Sequence, residues 1–187
     1  SLTSVPTQIM GASIARVYFQ KAVETYQQRP DQLMHITIKF LRSLILLAVI
    51  PFSMIGVFGA EIFSLVFGSQ WEMAGIFASV LSILAYINFI SLSICSLYQI
   101  IRKERLQFII VLIGGILLFS LLALITLFDS AFELVLAYSV ISTLIQIVLL
   151  AVILIKVNIR PVVRLAEVVI AYLVGFSICY LLKDLIT

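Results

Sequence analysis

Charge is scarce in this chain. Asp, Glu, Lys and Arg together make up 11% of its 187 residues, against about 25% in an ordinary soluble domain. A soluble exterior needs charge, so the shortage excludes an ordinary soluble fold. Histidine is limited to His35, which falls in a stretch that reads as a loop and is a poor candidate for catalysis. The two cysteines, Cys95 and Cys179, sit inside apolar runs at no metal or redox spacing. They read as free thiols and supply no disulfide framework. No glycine-rich loop leads into a lysine, so no P-loop motor is visible. A signal-peptide layout is also missing, because the first segment is too polar for its apolar core. The chain is therefore expected to be a piece of a longer protein.

What the chain has in abundance is apolar residues, 63% of the total, with a mean hydropathy of +1.24. Lipid is the solvent that makes such a composition sensible. A bilayer core about 30 Å thick needs about 20 apolar residues in helix. Uncharged runs at 43–60, 73–101, 106–128 and 134–155 serve that purpose. A run at 168–182 joins them if Pro161 starts its helix, where proline is well tolerated. A sixth, more polar span precedes them. The spacing predicts an all-α integral membrane protein, with helices over 2–24, 33–59, 71–101, 105–128, 131–156 and 161–183. Transmembrane strands would alternate polar and apolar residues, whereas these runs are continuously apolar. Pro51 lies inside the second span and is expected to bend it.

Charge alternates between the loops. Lys21, Arg29, Lys39 and Arg42 flank the first connection; Arg102, Lys103 and Arg105 the third; Lys156, Arg160 and Arg164 the fifth. The connections between them hold acids, Glu61 and Glu72 in one and Asp129 and Glu133 in the other. The positive-inside rule then makes the loops near 25–35, 102–105 and 156–161 cytoplasmic in a multi-pass protein of the inner (plasma) membrane. No pair of carboxylates sits at membrane depth, and an enzyme needs convergent acid, base or nucleophile groups. No catalytic residue, metal site or cofactor is expected, and nothing favours nucleic acid as a partner.

Polar side chains inside the spans are the candidate site, since lipid disfavours them. In the first span Ser4, Gln8, Ala12, Arg16 and Gln20 recur every four residues and form one stripe. Two readings of Arg16 stand side by side: it snorkels to the interface, or it lines a watery cavity and meets an anionic lipid head. Lys39 and Arg42 share a face near the cytoplasmic end, suited to lipid headgroups in general or to guiding a pyrophosphate. Gln146 stands with Ser139, Ser142 and Thr143 on the fifth span; Ser79, Ser82, Tyr86, Asn88, Ser91 and Ser96 stand on the third. Hydrogen bonding between helices is the simpler reading for both sets. Gly114, Gly115 and Gly175 read as close-packing points.

Several segments carry a family resemblance. They are Val5-Pro6-Thr7-Gln8-Ile9 running on through Ala15-Arg16-Val17-Tyr18-Phe19, the span holding Pro51 and ending Ile62-Phe63-Ser64-Leu65-Val66-Phe67-Gly68, and the junction Gly68-Ser69-Gln70-Trp71-Glu72-Met73-Ala74-Gly75. Tyr98 and the turn Arg102-Lys103-Glu104 fit as well. In these the chain resembles the C-terminal half of the polysaccharide flippases of the multidrug/oligosaccharidyl-lipid/polysaccharide exporter superfamily, O-antigen transporters of the lipopolysaccharide pathway among them. The resemblance implies one lobe of a two-lobed transporter, with the N-terminal lobe of the same protein as partner. It implies export of a polyprenyl-pyrophosphate-linked oligosaccharide by alternating access. Arg16 matches the pyrophosphate-receiving role in chemistry and depth, with Gln8, Gln20 and Gln146 toward sugars or water. A drug or cation antiporter, which requires a membrane-embedded carboxylate, and a membrane enzyme of the same pathway are the alternatives.

Overall fold

A computed structural model describes residues 18–123 and 131–186, and all the elements it describes are helical. Helix α1 covers residues 18–28. Then follow α2 (Pro30–Phe67), a 3-10 turn (Ser69–Trp71), α3 (Glu72–Ile100), α4 (Glu104–Ala123), α5 (Ala131–Lys156) and α6 (Pro161–Ile186). Five of these helices, α2 to α6, are long and apolar enough to cross a membrane. The chain is an all-α membrane bundle. Most of the expected first span, Gln8 and Arg16 included, lies outside the described residues, as does the stretch 124–130.

The connection expected over 25–35 is almost entirely helix. Arg29 alone breaks it, with φ −147 and ψ 74. Proline at 30 crowds the preceding residue out of the α region, and its fixed φ and missing N–H suit the first position of a new helix. Asp31 in the first turn of α2 complements the positive end of the helix dipole. His35 accordingly lies on an exposed face of α2 rather than in a loop. Tyr18 ties α1 back onto α2: its hydroxyl is 3.0 Å from that of Thr37, and its ring stacks on Phe40 at 3.9 Å.

Helix α2 is longer than expected, 38 residues, or about 57 Å at about 1.5 Å per residue. The non-helical backbone inside it falls at Phe58 (φ −110, ψ 17) rather than at Pro51. Pro51 faces outward and leaves the neighbouring dihedrals helical. Beyond Phe67 the chain reverses at Gly68, whose φ of +98 is open to glycine and strained for other residues.

Helix α3 is the centre of the bundle. One face packs on α2 and another on α5, with Tyr86, Ile90, Ile94, Leu97 and Tyr98 fully buried. The α2–α3 crossing is made by small residues: a Cβ added at Gly75 would lie 2.6 Å from the Cα of Ala60. Lipid offers no hydrophobic drive between helices, so close backbone approach and dispersion do the work. Gly175 of α6 sits likewise against Val49 and Ser53, and Gly114 of α4 against Ile145. Gly115, expected to be a packing point too, faces open space. Helix α6 packs on α2 and α5, and α4 lies outside, mainly along α5.

The α3–α4 and α5–α6 turns are built alike. Lys103 N–H donates to Tyr98 O (2.7 Å) and Arg102 N–H to Gln99 O (3.1 Å). Ile159 N–H donates to Leu154 O (2.9 Å) and Asn158 N–H to Ile155 O (3.1 Å). Both are Schellman endings, with Arg102 (φ 55) and Asn158 (φ 57) in the left-handed position.

Candidate functional site at the basic end of the bundle

The three connections expected on one side of the membrane meet at one end of the bundle. The α1–α2 corner, the α3–α4 turn and the α5–α6 turn together line a cavity of about 500 Å³, with Tyr26, Asp31, Lys103, Lys156 and Asn158 among its walls. A smaller cavity of about 240 Å³ beside it lies between α1 and the end of α3 and includes Arg102. Charge repulsion opposes such a gathering of cations unless water or anions screen it, so this end belongs in an aqueous or headgroup layer.

Two ion pairs mark the limits of the apolar belt on α2 and α6. At the basic end Arg42 Nη2 lies 3.5 Å from Glu167 Oε1. Arg164 of the same helix donates from Nη1 to both oxygens of that carboxylate, at 2.5 and 2.6 Å. At the other end Lys183 of α6 pairs with Glu61 of α2. Lys183 also donates to the carbonyl of Val57 (3.2 Å) and lies over the ring of Phe58. The bend at Phe58 and the ammonium belong together, because the cation serves a backbone oxygen at the break in the helix. Between Arg42 and Glu61 lie 18 uncharged residues, about 27 Å of helix, close to the hydrocarbon thickness of about 30 Å. The part of α2 before Arg42 therefore stands outside the hydrocarbon.

The candidate residues separate on this frame. Lys39 is exposed, and Arg42 keeps 61% of its side chain accessible despite its pairing with Glu167. They share the outer face of α2 at the edge of the belt. Gln20 is exposed on α1. Gln146 is turned inward between helices, where its amide donates to Asn88 Oδ1 at 2.9 Å. Gln8 and Arg16 lie outside the described residues. Lys39 and Arg42 are thus the candidates placed together and open to a ligand. Among the described residues no group of His, Cys, Asp and Glu is arranged to hold a metal ion.

Part of the interior polarity joins helices, part bonds within a helix, as Ser93 does to Phe89 O, and the hydroxyls of Ser53, Ser142 and Thr143 are buried without a hydrogen-bond partner among the described residues. Ser79 Oγ donates to Ile55 O across the α2–α3 crossing. Ser82 and Tyr172 hydroxyls meet at 2.6 Å, Tyr86 donates to Val168 O, and Tyr98 donates to Leu149 O. Tyr172 escaped the sequence analysis: it sits in an apolar run with no polar neighbour to mark it. The cavity lysines, Lys103 and Lys156, were legible only as charges that orient the chain, and Asn158 not at all. The signal that could have found it is an asparagine just past the end of an apolar run, a residue type that tolerates the left-handed helix ending. No family model, curated protein or solved structure matches the chain, and the site stands on its own geometry.

Proposed function

We propose that the chain is one lobe of a flippase that moves a polyprenyl-pyrophosphate-linked oligosaccharide across the inner (plasma) membrane. The observation that carries this reading is the charge layout. Three basic connections share one end, and Lys39 and Arg42 stand exposed where the apolar belt stops, the level at which a lipid phosphate lies. A guanidinium that is always charged and planar suits a phosphate better than an ammonium does. Arg42 is held only loosely by Glu167, which Arg164 already occupies. A lipid pyrophosphate displaces a 3.5 Å ion pair at small cost, since exposed pairs are worth about 0–1 kcal/mol.

In this mechanism the headgroup arrives at the cytoplasmic face, is met by Lys39 and Arg42, and passes to Arg16 on the polar stripe. Rocking of this lobe against an N-terminal one then exposes the site to the other side. The glycans meet Gln8 and Gln20, and Gln146 once it leaves Asn88. The test is made in cells lacking the gene. Polyprenyl-linked repeat units trapped on the cytoplasmic leaflet, with export restored by the wild-type gene and not by Arg16→Ala, support the proposal. Repeat units that reach the outer leaflet at the normal rate refute it.

A further inference from the structure

The end of the bundle opposite the basic cavity carries a patch that the transport mechanism does not use. Helix α2 runs on past Glu61 to Phe67, the chain reverses at Gly68, and it returns through the 3-10 turn into α3. On this tip Leu65, Val66, Phe67, Trp71 and Met73 are exposed, Leu65 to 88%. The rings of Phe63, Phe67 and Trp71 stand in series, with centroids 5.6 and 5.9 Å apart. No charged residue falls between Glu61 and Glu72. A contiguous exposed apolar patch marks an interaction surface.

Depth and direction identify what covers it. Phe67 is 6 residues past Glu61, about 9 Å along the helix. Side chains of a helix tilt toward its N-terminus, here back toward the bilayer, so the Phe67 ring sits lower than its Cα. Gly75 lies against Gly59 and Ala60 where α2 and α3 cross. Counting back along α3 brings Trp71 level with residues 63–64, about 3–5 Å past Glu61, and Met73 level with Glu61 itself. The headgroup layer is about 5–8 Å thick on each side of the hydrocarbon, and the rings of the tip fall within it. Aromatic side chains, tryptophan above all, gather at this level of a bilayer. The direction agrees. Leu65 is 18 residues beyond Leu47, about five turns, and Leu47 is an outward-facing residue of the apolar belt. The lipid-facing line of α2 thus runs on into the tip.

We infer that the α2–α3 tip is a lipid anchor, with Leu65, Val66, Phe67 and Trp71 inserted among the glycerol and upper acyl groups of uncharged membrane lipid. Glu61 and Glu72 flank the tip and the ammonium of Lys183 is engaged by Glu61, so nothing there favours an anionic headgroup. The anchor fixes the height of this end of α2 and α3 in the membrane. It does not depend on the transport reading.

Trp71 is the single tryptophan, so the tryptophan fluorescence of the chain reports on the tip alone. The full chain is reconstituted in phosphatidylcholine liposomes. Quenching is measured with nitroxide lipids labelled at the headgroup, near the ester or near the methyl end, and with iodide on both sides of the membrane. The headgroup and ester labels should quench Trp71 more than the methyl-end label, and iodide should quench it far less than it quenches free tryptophan amide. Replacing part of the lipid with phosphatidylglycerol should change neither result. Leu65→Ser with Val66→Ser is expected to weaken the insertion equilibrium about 10-fold, read as loss of lipid quenching and gain of iodide quenching. Leu65→Ile with Val66→Leu keeps the patch and should match wild type, which separates loss of insertion from loss of fold. Iodide quenching equal to that of the free amide, without lipid quenching, places the tip in water, open to a soluble partner, and overturns the anchor. Strongest quenching by the methyl-end label overturns the interfacial depth. A requirement for phosphatidylglycerol overturns the uncharged occupant, and a serine pair indistinguishable from wild type overturns the role of the patch.

Discussion

Substituting Gly75 by alanine tests the packing on which the bundle rests. The added Cβ would lie 2.6 Å from Ala60 Cα and 2.7 Å from the carbonyl carbon of Gly59. Carbon atoms pack at about 3.5–4.0 Å, and both obstacles are backbone, so α2 and α3 must part by about 1 Å. Overpacking of this kind costs about 1–3 kcal/mol. The better helix propensity of alanine returns up to about 1 kcal/mol. A net loss of about 1–2 kcal/mol, or about 5- to 30-fold in the folding equilibrium, is expected. Two other glycines calibrate the result. At Gly114 the new Cβ meets Cγ2 of Ile145 at 2.9 Å; a β-branched side chain in a helix is stiff at χ1 but yields more readily than backbone, so the substitution should destabilise less than Gly75→Ala. At Gly115 nothing lies within 4 Å, and alanine should stabilise by up to about 1 kcal/mol. The assay is unfolding in mixed micelles on titration with SDS, followed by far-UV circular dichroism. The expected order of stability is Gly115→Ala, then wild type, then Gly114→Ala, then Gly75→Ala. A Gly75→Ala protein as resistant as Gly115→Ala refutes the close crossing.

Other perturbations probe single contacts in the same assay. Ser82→Ala and Tyr172→Phe should each destabilise by about 1 kcal/mol, and the double variant by less than their sum, because they break one hydrogen bond; additive losses contradict the 2.6 Å contact. Arg102→Gly should stabilise by about 1 kcal/mol, since glycine adopts the left-handed ending without the clash a Cβ brings, while Asn158→Gly gains less because asparagine already tolerates it. No gain at Arg102 argues against the Schellman turn. Lys183→Met should relax the bend at Phe58: spin labels at exposed positions 46 and 65 of α2 should report a longer separation, and Glu61→Gln a smaller change, since it leaves the Val57 carbonyl served. Unchanged distances in both separate the bend from the lysine.

Much of the fold was legible because apolar run length and charge position are strong signals in a membrane. The span over 131–156 matches at both ends, for Lys156 stops the apolar run and Pro161 follows. The gathering of the basic turns at one end is what the alternation of basic and acidic connections requires. The second span was cut short at 59, since a bilayer needs only about 20 residues and Glu61 looks like an end. The helix continues to Phe67 because Lys183, more than 100 residues away in sequence, pairs with that carboxylate. The 25–35 connection looked like a loop because it is polar, yet a helix that stands in water needs only a narrow apolar face, here Leu33 and Met34, and a proline to start it. At the site, Lys39 and Arg42 were visible as a charged face, while the inward turn of Gln146 depended on which residue of α3 faced it. The cavity was invisible, because three separate turns compose it.

The peripheral position of α4 has a consequence for how the sequence can drift. Apart from Gly114, which receives Ile145, the middle of the helix presents Phe108, Val111, Leu112, Ile116 and Phe119 outward. Those positions meet a fluid that distinguishes one apolar side chain from another only weakly. Leucine, valine and phenylalanine are interchangeable there at little cost, and the stretch is free to wander through apolar sequences. Gly114 is the fixed point in that drift, since any larger side chain must first displace Ile145.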